Sequence, residues 1–290
     1  MRHCAFLTMD NLDGFVSDDE LLYEPLARLG WRVHPVSWRK DVDWNIFEAV
    51  IIRTPWDYHK DPESFLNTLE NIERSSARLA NPLELVRWNV RKTYLFDLER
   101  RGIEIVPTLV SEQLEDSVFT RAYGHFEAEE IVVKPVVGAS ADDTFRVHQD
   151  SDDSFLRQIG ELFVDRHVLV QPFMKGIVQE GEFSLFYFGG LFSHGILKTP
   201  KPNDFRSQEE HGGVITAVRP ETELLAAGDR VVSLISPSPL YLRVDLVRTD
   251  CNTFAVMELE LIEPALYFRM DGESPMRFAR AFVEWMKNSL

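Results

Sequence analysis

The segment Tyr241 to Glu263, YLRVDLVRTDCNTFAVMELELIE, restricts the fold more than any other stretch of the chain. Two runs of alternating apolar and polar residues flank Thr249-Asp250-Cys251-Asn252-Thr253, and period-two alternation interrupted by turn-forming residues predicts a β-hairpin. Residues two apart on a strand share a face, so Leu242, Val244 and Leu246 point one way and Arg243 and Asp245 the other. On the second strand Met257, Leu259 and Leu261 are expected toward the core, with Glu258 and Glu260 opposite them. A two-residue loop at Cys251-Asn252 would set Asp245 directly across from Glu258. Like charges facing each other across a ladder destabilise it by up to about 1 kcal/mol per pair unless something neutralises them. A hard divalent cation is one answer, since Mg2+ takes carboxylate oxygens together with phosphate oxygens. A Glu-x-Glu strand is more often a solvated sheet face, so the remaining chain has to decide between the two.

A chain of 290 residues has room for two or three lobes with large cores. The excess of 47 Asp and Glu over 31 Lys and Arg gives a net charge of -16, a field that repels phosphate backbones and argues against a nucleic-acid partner. Cys4 and Cys251 are the only cysteines, which excludes a disulfide framework, makes a zinc site improbable and suits a reducing compartment. Met1 to Met9 is too short and polar for a signal peptide, and no apolar run approaches the roughly 20 residues of a membrane span. The expected location is cytoplasmic, with no membrane partner.

At the N-terminus, strand signals at Cys4 to Thr8, Trp31 to Val36 and Phe47 to Arg53 alternate with helix signals at Asp18 to Leu29 and Pro62 to Arg78. Such alternation implies a parallel sheet, whose ligands bind at the carboxyl ends of the strands. Arg53, Trp56, Asp57 and Tyr58 sit at such an end, although packing explains Trp56 and Tyr58 equally well. After the break at Asn81-Pro82, Leu83 to Arg101 has helical spacing and carries Lys92, and Glu104 to Val110 reads as a strand. Ile131 to Pro135, IVVKP, places a lysine inside an apolar strand; burying it is costly without a partner, so Lys134 is expected to face an anion. Gly138, Ala139, Ser140 and Ala141 follow, small residues that let backbone N–H groups approach phosphate oxygens. Next come a strand at Phe145 to Val147, a helix at Ser154 to Phe163 and a strand from Val168 into Gln171-Pro172-Phe173-Met174. Phe183 to Phe188 and Leu191 to Lys198 form a hairpin through Gly189-Gly190. The polar segment Thr199 to Gly213 reads as a substrate loop, and helices at Glu221 to Ser236 and Ser274 to Leu290 flank the acidic hairpin. No internal repeat, G-x-x-x-x-G-K-[ST], G-x-G-x-x-G or H-E-x-x-H motif occurs.

A helical lysine, a Val-Lys-Pro strand, a small-residue loop, a Gln-Pro-Phe hinge and a terminal strand with paired acids, in this order, resemble the ATP-grasp ligases. The resemblance runs from about Arg53 to Pro264 and is closest to prokaryotic glutathione synthetase and to the cyclo-ligase that closes O-ureido-serine to cycloserine. It implies an α/β protein with α+β lobes: a parallel-sheet pre-ATP-grasp domain over 1–82, a small lobe over 83–174 and a large metal-bearing lobe over 175–290, the last two clasping ATP. It further implies that Lys92 and Lys134 contact the phosphates, that the loop from Gly138 through Ser140 to Thr144 closes over them, and that Gln171 to Met174 read adenine with Phe173 against the ring. Glu182 would take the ribose, and Asp245, Glu258 and Glu260 would hold two Mg2+ ions, with Mn2+ as an alternative. Lys198 and Arg206 would stabilise the transferring phosphoryl group and the tetrahedral intermediate, and Gln208, with Arg53, Trp56, Asp57 and Tyr58, would contact the substrate.

Three departures stand out. Glu260 replaces the common Asn, the loop has one glycine rather than several, and Ser184 stands where related ligases place arginine, which argues against glutathione. The implied function is ATP-dependent joining of a small amino-acid or peptide carboxylate to an amine through an acyl phosphate, within one molecule if the cyclo-ligase is the nearer relative. A kinase on the same scaffold, a ligase tailing a peptide or protein, and a non-catalytic nucleotide-binding protein remain open, as does pairing into a homodimer.

Overall fold

The computed structural model describes residues 1–202 and 204–287. The first lobe runs β1 (Arg2–Thr8), α1 (Tyr23–Arg28), β2 (Trp31–Ser37), β3 (Ala49–Thr54), α2 (Pro62–Arg74) and β4 (Arg78–Ala80). Its strands pair in parallel in the order β2-β1-β3-β4. Both faces are covered, which is why the strands read as unbroken apolar runs. Ala5, Leu7, Val50 and Ile52 pack against α2, while Cys4, Phe6, Ala49 and Ile51 meet α1 and the C-terminal helix. Two expectations are corrected here. The helix over Asp18 to Leu29 is a 3-10 turn at Asp19–Leu22 followed by α1, and the helix from Pro62 ends at Arg74. Its tail becomes β4 because Leu79 and Ala80 are buried beside β3, with Ala49 paired to Arg78.

The second region comprises α3 (Leu83–Asn89), α4 (Tyr94–Arg100), β5 (Leu109–Ser111), α5 (Asp116–Phe126), β6 (Glu130–Pro135), β7 (Phe145–His148), α6 (Asp153–Leu162) and β8 (Val168–Pro172). The helix expected over Leu83 to Arg101 is broken between Asn89 and Tyr94, and Lys92 lies in the break, where its backbone N–H donates to the Val136 carbonyl at 2.8 Å. The strand expected from Glu104 shrinks to β5, because Glu104 and Val106 bond the backbone of Val256 instead, at 2.9 and 3.0 Å. The sheet order is β5-β8-β6-β7, antiparallel throughout. Ile131, Val133, Val168 and Val170 pack under α5 and α6. The alternate residues Val132, Lys134 and Gln171 therefore face the other way.

The third region adds α7 (Gly176–Gln179), β9 (Glu182–Phe188), β10 (Leu191–Thr199), β11 (Val214–Val218), α8 (Thr222–Ser233), β12 (Tyr241–Arg248), β13 (Phe254–Glu260) and α9 (Ser274–Lys287). The expected end of the last helix, 288–290, lies outside the described residues. The antiparallel order is β11-β10-β9-β12-β13. One face, with Leu185, Tyr187, Leu242, Val244, Leu246 and Leu259, is apolar and packs on α4 and α8. The opposite face is divided. Phe186, Phe188, Ile196 and Tyr241 meet the first lobe and α9, whereas Glu182, Lys198, Arg243, Asp245, Glu258 and Glu260 line a cleft.

Asp245 does stand opposite Glu258, but not through a two-residue loop. The loop is Thr249 to Thr253, closed by Thr249 N–H to the Thr253 carbonyl at 2.9 Å, and Arg248 pairs with Phe254. A bulge at Met257 then shifts the register by one residue. It turns Met257 into the cleft wall rather than into the core with Leu259. No described helix is long and apolar enough to cross a membrane.

Buried His194 on β10 stacks on Phe186 at 4.3 Å, and its Nε2 donates to the Leu266 carbonyl at 3.0 Å. Burial pushes the imidazole from 6.5 down to about 4. The folded protein thus holds it neutral, and below pH 6.5 the unfolded chain binds a proton that the folded chain refuses. His194 should cost the fold about 3 kcal/mol as pH falls from 6.5 to 4. Urea unfolding of wild type and His194→Gln across this range should show the steeper decline in wild type; parallel curves would contradict it.

Candidate active site

The cleft lies between the two antiparallel sheets, with the first lobe at one end. Its walls are Lys92 from the helix break, Val132, Lys134 and Gln171 from the smaller sheet, and the charged face of the larger sheet. Trp56, Tyr58 and Glu263 close the first-lobe end, and Val106, Met174, Ile177 and Met257 make an apolar pocket at the other.

Cross-strand register builds the charged face. Glu182 is opposite Lys198, Ser184 opposite Asp245, Asp245 opposite Glu258 and Arg243 opposite Glu260. Lys198 pairs with Glu182 and lies 3.4 Å from Asp245; Arg243 bonds Asp245 at 2.9 Å and also pairs with Glu260. Lys92 pairs with Glu258. Ser184 Oγ donates to Asp245 at 2.5 Å, so the serine found in place of arginine holds an acid of the site.

Charge states follow from these contacts. Burial works against the Lys198 ammonium, but Asp245 and Glu182 hold it charged, above the usual lysine range. Burial likewise opposes the Asp245 and Glu258 carboxylates, and the neighbouring cations outweigh it, keeping both below the usual range. Glu260 goes the other way, raised by burial despite Arg243 and further by Asp245 and Glu258. Lys134 has no carboxylate within 4 Å among the described residues, and burial lowers its pKa. An anion in the cleft would restore its charge.

Two loops meet over the cleft. Ser140, Ala141 and Asp143 adopt φ of 54°, 55° and 52°, the left-handed region glycine usually fills. Two contacts fix this strained turn: a hydrogen bond between His59 Nε2 and Asp142 at 3.1 Å and an ion pair between Asp143 and Arg166 at 2.5 Å. At Gly138 a Cβ would stand 2.7 Å from the Pro135 ring. From the polar segment, His211 Nε2 reaches the Ser140 carbonyl at 3.4 Å, and Ser207 Oγ donates to Glu182 at 2.7 Å. Arg206 points into the cleft while bonded to Asp204 at 3.1 Å.

The structure brings Trp56, Tyr58, Lys92, Lys134, Gly138, Ser140, Gln171, Met174, Glu182, Lys198, Arg206, Gln208, Asp245, Glu258 and Glu260 to this one cleft. Three expected residues are not on its wall. Arg53 is fully buried, bonded to Asp19 at 3.0 Å and to the Pro264 carbonyl at 3.3 Å, so it anchors the chain next to Glu263. Asp57 accepts from Trp38 Nε1 at 2.9 Å and pairs with Arg39 on the outer side of the first lobe. Phe173 is covered rather than open to the cleft: its ring lies under the Arg146 guanidinium at 3.7 Å and meets edge-on the ring of Phe205, which does line the cleft, at 6.3 Å.

Arg243, Glu263, Asn89 and Tyr94 were not singled out from sequence. β13 is an edge strand; its outer backbone is held by the Glu104 and Val106 backbone at Val256 and by side chains further along. Asn89 donates to the Leu259 carbonyl at 2.8 Å and accepts from Leu261 N–H at 3.0 Å, and Tyr94 Oη accepts from Leu259 N–H at 2.8 Å. The alternation of polar residues in Glu-Leu-Glu gave Glu258 and Glu260, whereas Glu263 lies beyond the strand end, where alternation carries no information.

The carboxylates share a face, but each turns toward a cation, so among the described residues no three Asp, Glu, His or Cys side chains gather as a metal cage. The donor type nevertheless suits a hard divalent ion: Asp245, Glu258 and Glu260 offer oxygen only, and no cysteine or histidine lines the cleft.

Comparisons with known proteins agree with this geometry. Residues 4–81 match the family model for D-cycloserine synthetase DcsG, N-terminal domain. Over 288 residues the chain is 33% identical to the cycloserine biosynthesis protein DcsG of Streptomyces lavendulae, covering 92% of this chain and 93% of that protein. The crystal structure of D-cycloserine synthetase DcsG superimposes with a TM-score of 0.87 at 29% identity, covering 98% of this chain and 99% of that one. D-alanine–D-alanine ligase from Bacillus anthracis shares the fold, with a TM-score of 0.69 at 15% identity over 100% and 98% of the two chains. The protein is an ATP-grasp enzyme, an ATP-dependent ligase that forms C–N bonds. It belongs to the family of the cycloserine biosynthesis protein DcsG and resembles cycloserine synthetase.

Asn89→Ala should destabilise the fold by about 2–4 kcal/mol, since it leaves one buried carbonyl and one buried N–H without partners. Urea unfolding measures this. A loss under about 0.5 kcal/mol would mean that the edge of β13 is held without Asn89.

Proposed function

We propose that the enzyme activates the carboxylate of a small amino-acid-like substrate as an acyl phosphate and closes it onto a nitrogen of the same molecule, with O-ureido-serine as the substrate that the relatives suggest. The observation that carries this reading is the convergence of Lys92, Lys134, Lys198, Arg206 and Arg243 with the strand-borne carboxylates of Asp245, Glu258 and Glu260 on one cleft. A division into lobes at 1–82, 83–174 and 175–290 belongs to the same reading.

Each residue then has a chemical task. The apolar pocket of Val106, Met174, Ile177 and Met257 receives the adenine, with the backbone around Gln171 to Met174 reading its edge. Phe173 supports that hinge through its contact with Phe205. Lys92 and Lys134 bind phosphate oxygens beneath the loop of Gly138 and Ser140, and Glu182 lies at the ribose position. Asp245, Glu258 and Glu260 would hold Mg2+, two ions on this reading, which would neutralise phosphate charge. The substrate carboxylate attacks the γ-phosphorus and ADP leaves; the nitrogen then attacks the acyl carbon, loses a proton and expels phosphate. Lys198, Arg206 and Arg243 offset the charge that builds on the phosphoryl group and on the tetrahedral oxygen. The loops that meet at Ser140 and His211 exclude water from the acyl phosphate.

With Mg2+, ATP and hydroxylamine, O-substituted serines should give a hydroxamate together with ADP. ADP release with no hydroxamate would replace the ligase reading by a kinase. Lys134→Ala should lower turnover by about 10²–10³-fold or more while melting as wild type does, and Glu258→Gln should lower turnover as much but also melt earlier, because it leaves Lys92 without its partner. Near-normal turnover in either would remove the nucleotide assignment.

A further inference from the structure

We infer that Glu263 is the acceptor for a cationic amine of the substrate, so that a free ammonium group is a condition of tight binding. This rests on the ligase reading of the cleft and names the substrate class it admits.

Glu263 is 8% exposed and lines the cleft beside Trp56 and Tyr58. Each strand-borne acid here has a cation: Asp245 has Arg243 at 2.9 Å and Lys198 at 3.4 Å, Glu258 has Lys92, Glu260 has Arg243 and Glu182 has Lys198. Among the described residues no cation lies within 4.0 Å of the Glu263 carboxyl. The side chain beside it in the cleft wall is the neutral Tyr58 hydroxyl. A buried carboxylate without a counter-ion is costly, and an ammonium bound beside it offsets that cost.

The fold holds this carboxylate in place. Trp56 Nε1 donates to the Glu263 carbonyl at 2.9 Å, Arg53 to the Pro264 carbonyl at 3.3 Å, and Tyr241 Oη to the Ile262 carbonyl at 2.9 Å. A second acceptor in the same cleft lacks a donor: Gln208 Oε1 is buried with no hydrogen-bond partner. The cleft is therefore rich in donors where phosphates and a carboxylate would lie, and at Glu263 and Gln208 it has acceptors awaiting N–H groups. An amino acid carries both complements.

One consequence concerns the bond that forms. An amine held as an ammonium against Glu263 has no lone pair, so it is not the nucleophile. The nitrogen that attacks the acyl phosphate must be another one on the substrate, and the α-amine leaves unmodified in the product.

The test is titration calorimetry on the full chain with ADP and Mg2+ present, using serine, O-ureido-serine and the N-acetyl derivative of each. Free-amine ligands should bind about 30-fold more tightly than their acetylated forms. Glu263→Gln should remove that preference by weakening only the free-amine ligands, with ADP affinity unchanged. Equal or undetectable binding of free and acetylated ligands, or a preference that survives in Glu263→Gln, would overturn the inference. Loss of ADP binding in the variant would also overturn it, by making Glu263 a structural residue. Hydroxamate formation reports carboxylate activation independently, so loss of the amine preference with that activity intact would leave the ligase reading standing.

Discussion

The structure depends on a run of ion pairs across one face of the larger sheet. Asp245 and Glu258 stand opposite each other, with Glu260 and Glu182 on the same face, an arrangement that would force strands apart if left alone. Arg243 and Lys198 answer from the sheet itself, and Lys92 answers from the break between α3 and α4. Desolvating such groups is expensive, and removing one partner from a buried pair typically costs about 3–5 kcal/mol. The apolar half of the same face, Phe186, Phe188, Ile196 and Tyr241, anchors it against the first lobe. The bulge at Met257 and the side chains of Asn89 and Tyr94 then set where the carboxylates of β13 point.

That arrangement sorts the cleft by charge. Lys92 and Glu258 neutralise each other, and phosphate oxygens for the ammonium with a divalent cation for the carboxylate would keep the same balance. Lys134 differs, buried and without a close carboxylate, so an anion gains most by approaching it. At the far end Glu263 offers an acceptor with no cation of its own among the described residues. On the proposed reading, a substrate lying between the two ends would be oriented by its own dipole, carboxylate toward the cations, before any chemistry starts.

What the sequence could convey followed from periodicity and cost. The hairpin was legible because alternation of Leu242, Val244 and Leu246 against Arg243 and Asp245 has one structural meaning, and Lys134 because a lysine inside IVVKP needs a partner. The Asp245 and Glu258 pairing came out right through compensating features, a longer loop and a bulge, neither visible in composition. Lys92 was placed on a helix because nothing local marks the break; a tertiary bond to the Val136 carbonyl makes it. Arg53 and Asp57 sit in a strand-end motif suited to a ligand, yet long-range partners engage them, Asp19 and Pro264 at Arg53 Nε and Nη2, and Trp38 and Arg39 at Asp57. Glu263 was missed because its setting is assembled from the first lobe, far away in sequence. Short β4 and β5 carry too few residues for any pattern to declare them.

The central claim is that the cleft makes a carboxylate electrophilic by joining it to phosphate. Transfer of oxygen tests it most directly: with both oxygens of the substrate carboxylate labelled with 18O, turnover should deliver one 18O into the released inorganic phosphate. Phosphate free of label, alongside ADP and a cyclised product, would show that the carboxylate never bonded to phosphorus and would contradict the role assigned to every cation in the cleft.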